Sequence, residues 1–179
     1  ELSALQYAMN LKLQDEGAFQ SEYQNDPLPD DIGGDTLLSV DEIASKVNGL
    51  AAGKVPLACD KVTAFVDIQK SLLFYAVVAW NDEFTGAVLD YGAWPDQRRK
   101  TFSLATANPT IQSRFPNAGL EGCIYGALSA LMDDLLEREW AREDGAMLKI
   151  ERAMIDANWG SSTDVVYQFC RQSPWGGIV

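Results

Sequence analysis

The stretch VTAFVDIQKSLLFYAVVAWNDEFTGAVLDY, residues 62–91, decides the fold. Val62–Gln69 is apolar and β-branched, Ser71–Trp80 is a second apolar run, and Thr85–Tyr91 is a third. Such residues pack well on a pleated surface, so each run reads as a strand. The connections at Gln69-Lys70 and Asn81-Asp82-Glu83 are of hairpin length. Residues 62–91 therefore predict a three-stranded antiparallel meander. Downstream, Leu120–Trp140 carries Ile124, Leu128, Leu131, Leu135 and Leu136 on one helical face. Met147–Asp156 reads as a fourth strand, apolar at Leu148, Ile150, Ala153 and Ile155. After a turn at Asn158-Trp159-Gly160, Ser161-Ser162-Thr163-Asp164 caps a helix to about Arg171. The order β-β-β-α-β-α is an α/β fold. A helical crossover links the meander to the fourth strand, which is expected beside the first and parallel to it.

The flanks are simpler. Glu1–Tyr23 reads as one helix, with Leu2, Leu5, Ala8, Met9, Leu11 and Leu13 apolar and Gly17 weakening it. Asn25–Asp35 is rich in Pro, Gly and Asp, a linker composition. Ser39 and Glu42 form a capping box for a short helix through Val47. Gly92–Asn117, with Pro95, Pro109 and Pro116 and the basic cluster Arg98-Arg99-Lys100, reads mostly as surface loop.

Composition narrows the chemistry. A chain of 179 residues with 47% hydrophobic residues can bury one sizeable core. Its longest apolar run, Leu72–Trp80, is too short for a bilayer span, which needs about 20 residues. Glu1–Asn10 lacks the basic start and apolar stretch of a secretion signal. Fourteen Lys and Arg against 26 Asp and Glu give a formal charge of −12, which argues against binding nucleic acid through a broad basic face. It leaves open an enzyme that meets DNA through metal ions or is held there by a partner. With no histidine, Ser-His-Asp and Cys-His catalysis and His-ligated zinc or haem are excluded. Cys59, Cys123 and Cys170 form no CxxC and read as buried free thiols suited to a reducing cytoplasm.

Acid–base or metal chemistry must then use carboxylates. Asp67 ends the first strand, where an ionised acid in an apolar run is costly unless a cation or partner compensates. Asp156 ends the fourth strand in the same way. If these strands are parallel neighbours, both acids emerge at one carboxyl-end edge, where they would ligate divalent ions of the phosphoryl-transfer type. Spacing alone leaves a second reading open, two strand-end acids that each cap a turn. Asp90 on the third strand reads as a solvated or hydrogen-bonded acid, Asp164 as a helix cap, and Asp133 and Asp134 as a solvated helix face. Asn158 and Ser161 fit turn chemistry. Arg98, Arg99 and Lys100 are read as a solvated loop or as phosphate contacts. The tryptophans, Phe65 and Phe74 fit a core or its rim, and Trp159 stands beside Asp156.

Four segments in order carry a resemblance: SALQYAMNLKLQDEGAFQSEYQNDPLP (3–29), TAFVDIQ (63–69), VVAWNDEFTGAVLDYGAWPDQ (77–97) and MIDANWGSSTDVVYQFCR (154–171). Together they resemble the C-terminal nuclease domain of the large terminase subunit of tailed bacteriophages, a ribonuclease H-like fold. The resemblance implies residues 1–38 as a helix and linker from the ATPase side. It implies residues 39–179 as the nuclease domain, lacking its last strand and helix. It matches Asp67 and Asp156 to the first two metal-binding, catalytic acids. The family's third acid lies on a helix after strand five, a position this sequence does not reach. No GxxxxGK[ST] is present for ATP hydrolysis. The implied activity is two-metal endonuclease cutting of concatemeric double-stranded DNA during packaging, with Mg²⁺ or Mn²⁺ as the ion. The small terminase subunit and the portal are the implied protein partners, with self-association in the motor and the host cytoplasm as setting. The alternatives are a non-catalytic docking module of the motor and a processing nuclease or resolvase on the same fold.

Overall fold

The computed structural model describes residues 3–24, 38–158 and 163–179. They divide into two units, 1–49 and 50–179. In the first, α1 (Ala4–Gln14) and α2 (Glu16–Ala18) are followed by a π-helical turn, Phe19–Tyr23. The single helix expected over 1–23 is thus broken, and at Asp15 rather than Gly17. Asp15 adopts extended backbone (φ −154°), and its carboxylate accepts from the Ala18 N–H, restarting the helix. α3 (Val40–Ser45) has the expected capping box: Ser39 Oγ accepts from the Glu42 N–H, and Glu42 Oε2 from the Ser39 N–H. The Asn25–Asp35 linker lies outside the described residues.

In the second unit, β1 (Lys61–Ile68), β2 (Leu73–Trp80) and β3 (Gly86–Trp94) form the expected antiparallel meander. α4 (Ile111–Arg114) and the long α5 (Gly119–Glu137) come next. β4 (Trp140–Ala141) and β5 (Met147–Leu148) make a small hairpin, followed by β6 (Ile150–Ile155) and α6 (Thr163–Gln172). Among the described residues, one mixed sheet has the order β3-β2-β1-β6, with β6 parallel to β1 as the crossover argument requires. No described helix is long and apolar enough to cross a membrane.

The core sits on one face of this sheet. Alternation along β1 sends Val62, Ala64, Val66 and Ile68 inward and leaves Thr63, Phe65 and Asp67 on the other face. Ile124, Leu128, Leu131 and Leu135 of α5 and Val165, Val166 and Phe169 of α6 belong to the same buried cluster. The opposite, open face exposes Phe65, Val88, Tyr91 and Met154. Cys59 and Cys123 are buried free thiols as expected, whereas Cys170 is only half-buried.

Two element boundaries differ from the sequence reading. The helix expected to run to Trp140 stops at Glu137, because Arg138 turns extended and Trp140 enters the core. Trp140 then pairs with Leu148, and the Arg138 guanidinium lies 4.1 Å from the centre of its ring. The strand expected over 147–156 is split at Lys149: Met147–Leu148 pairs with β4, and Ile150 onward pairs with β1.

Candidate active site

Asp67 is the seventh residue of β1 and points to the open face, half-buried. The parallel register pairs Val66 with Ile155, and the Asp156 N–H donates to the Val66 carbonyl (2.8 Å). That bond sets Asp156 one strand spacing, about 4.8 Å, from the end of β1. Ile155 and Ala157 pack against the core, so by alternation Asp156 shares the open face with Asp67. The sheet therefore brings together the two acids that the sequence singles out, at the carboxyl ends of its parallel pair.

Each carboxylate is held by one neutral donor. Gln69 Nε2 donates to Asp67 Oδ2 (2.7 Å), and the Asn158 N–H donates to Asp156 Oδ1 (2.9 Å). The second bond is the turn chemistry expected of Asn158. Among the described residues neither acid has an ion-pair partner. Their other oxygens, Asp67 Oδ1 and Asp156 Oδ2, accept no hydrogen bond there. Two carboxylates on one edge repel each other unless a cation lies between them. Two free carboxylate oxygens on adjoining strands suit a hard divalent ion that completes its shell with water and phosphate oxygens. The donor set is all oxygen, the kind that suits hard divalent ions. Among the described residues no group of three or more acids, cysteines or histidines is placed to hold a metal.

The remaining candidates lie elsewhere. Asp90 is kept from Asp67 by a bulge: Val78 pairs with Val88 but Val77 with Asp90, so Leu89 is the extra residue. The bulge turns Asp90 toward the core side, where Arg138 Nη1 donates to it (2.9 Å). Asp164 lies in the first turn of α6, and Asp133 accepts from Trp175 Nε1 (2.8 Å) rather than standing free. Asp134 is exposed as expected. Trp159 and Ser161 lie outside the described residues. Phe65 and Phe74 lie on the open face, at the rim of the core.

Arg98, Arg99 and Lys100 sit on the loop after β3. Arg99 and Lys100 line a cleft whose wall includes Phe74, the cross-strand partner of Asp67. The residue that shapes this loop, Gln97, drew no attention in the sequence. Its side chain donates to the Pro95 and Pro109 carbonyls and accepts from the Asn108 N–H, all at 2.8 Å. A glutamine between two prolines fourteen residues apart gives no local pattern that announces burial.

No curated protein and no solved structure matches the chain. The family described as terminase large subunit gpA, endonuclease domain, matches residues 34–179, most of its length. The chain belongs to that terminase endonuclease-domain family.

Proposed function

We propose that this chain is a metal-dependent endonuclease domain that cuts concatemeric double-stranded DNA during packaging, on a ribonuclease H-like sheet, with Asp67 and Asp156 as its metal-holding carboxylates. The observation that carries the reading is the β1–β6 register, which sets the two acids side by side with free oxygens. Family membership supports the nuclease role. Bound Mg²⁺ or Mn²⁺ would supply an activated water for attack at phosphorus and charge neutralisation on the leaving 3′ oxygen.

The chain's own residues do the positioning. Gln69 fixes the Asp67 carboxylate through Oδ2 and leaves Oδ1, which would help to hold an ion. The Asp156–Asn158 turn does the same at the end of β6. Asp67 lies in β1 and Asp156 directly follows β6, where its N–H is bonded to the Val66 carbonyl, so backbone hydrogen bonds hold the two acids on adjoining chains. Bound divalent ions would offset the acidic charge of the chain at this edge. The small terminase subunit, the portal and further copies of the chain are the partners this reading names.

The test is plasmid cleavage with Mn²⁺, Mg²⁺ or EDTA, comparing the chain with Asp67→Asn and Asp156→Asn. Because even outer-shell losses cost 10–100-fold at metal sites, each variant is expected to lose at least about 100-fold in nicking. Mn²⁺ binding, followed by electron paramagnetic resonance, is expected to weaken in parallel. Metal-dependent cutting that survives in both variants would refute the assignment.

A further inference from the structure

We propose that the cleft beside Asp67 is a nucleotide subsite. It takes one unpaired nucleotide of the DNA strand next to the cut phosphate, with its base against the aromatic wall and its phosphate on Lys100 and Arg99. The inference rests on the nuclease reading and names how that site holds its substrate strand.

Position is the first argument. On the open face Asp67, Phe74 and Ala93 are cross-strand partners in one row across β1, β2 and β3, and Asp156, the residue after β6, adjoins the row through its N–H bond to the Val66 carbonyl. Phe74 and Ala93 line the cleft, so its near wall begins one strand spacing, about 4.8 Å, from the Asp67 backbone. A strand whose phosphate lies over the two acids therefore reaches the cleft with a neighbouring nucleotide.

The chemistry of the walls is the second. Phe102 lies over Phe74 with ring centroids 6.1 Å apart and planes 12° from parallel. Tyr91 stands on the same rim, 77% exposed. Phe74 and Phe102 are half-buried and Tyr91 is exposed; rings beside cations form the stacking platforms of single-strand binding sites, because every base has a π-face. A base inside a duplex presents only its edges, so a base lying flat on these rings must be unpaired.

Charge is the third. In a chain of net charge −12, three consecutive cations at 98–100 are an exception. Lys100 has no ion-pair partner among the described residues. Asp96 also lines the cleft, but its carboxylate is tied to the Arg98 N–H at the loop turn.

The site is preorganised and of suitable size. Gln97 pins the loop from inside, and the Arg99 guanidinium donates to the Thr106 carbonyl. The cleft holds about 630 Å³, within the range of small-molecule sites.

The experiment measures binding of a fluorescent eight-nucleotide single strand by anisotropy in EDTA, where nothing is cut. A duplex and an abasic strand of the same length serve as competitors. Phe102→Ala is expected to weaken single-strand binding by roughly 10-fold with an unchanged salt dependence. The abasic strand should bind wild type and Phe102→Ala alike. Lys100→Ala, on the exposed loop, should lower the slope of log K against log salt by about 0.7. Circular dichroism checks that Phe102→Ala is folded, and Lys100→Ala carries the test if it is not. Variants that bind as wild type does, or a duplex that competes as well as the single strand, would overturn the subsite. So would a wild-type chain that binds no oligonucleotide. Plasmid cleavage by the same preparations separates the two readings. Cutting with cleft variants that bind normally refutes only the subsite. Absent cutting with cleft-dependent binding refutes only the nuclease.

Discussion

Replacing Gln97 with Ala should loosen the loop that presents the basic cluster, and the size of the effect follows from its contacts. Gln97 is 6% exposed and makes three hydrogen bonds of 2.8 Å, two to proline carbonyls and one from the Asn108 N–H. A net hydrogen bond contributes about 1 kcal/mol, and a buried polar group left without a partner costs about 1–3 kcal/mol. Pro95 is buried, so its carbonyl stays dry after truncation. Asn108 is exposed, so its N–H recovers water. The sum is about 3 kcal/mol. Gln97→Met, which keeps the volume and removes all three bonds, should cost a similar amount. Gln97→Glu keeps the acceptor for Asn108 but sets a carboxylate oxygen against two carbonyls, so it should be at least as damaging. Urea unfolding measures the loss if the loop unfolds with the domain. If the loop opens first, amide exchange across 95–109 should accelerate by about two orders of magnitude, the equivalent of that energy. A Gln97→Met protein with both the wild-type midpoint and wild-type exchange would show that the three bonds do not hold the loop.

Two further outcomes follow from the same structure. Leu131, 1% exposed between the sheet and its helices, should cost about 3–4 kcal/mol as Leu131→Ala, read from the urea midpoint; a loss under about 1 kcal/mol would mean the core around α5 collapses onto the cavity. The hydrogen bond from Arg142 holds the exposed Asp144 carboxyl down at about 2, so its stabilisation is complete above the ordinary value of about 3.9 and is lost as pH falls through 2. Asp144→Asn should therefore flatten the acid limb of stability between those values, and parallel limbs for the two proteins would show that the pair adds nothing.

Most elements are legible in the residues themselves. Period-two burial in 61–68, tight connections and the helical stripe of 119–137 are local patterns, and each is readable because side-chain direction follows backbone geometry alone. The Ser39–Glu42 box is legible for the same reason. The parallel pairing of β6 with β1 was also within reach, since a crossover of one hand allows little else. Breaks were not: the arrest of α5 before Trp140 depends on a core that Trp140 helps to fill, and no local signal records that. Asp90 is different, because its face depends on a bulge between two strands. Val88 and Asp90 have the same parity in sequence, yet the bulge at Leu89 puts them on opposite faces, which leaves Asp67 and Asp156 together without Asp90. Tertiary structure also decided that Gln97 is buried and that Phe74 and Phe102, far apart in the chain, face each other beside a basic loop. Register belongs to a pair of strands and burial to a neighbourhood, so neither is a property of any one segment.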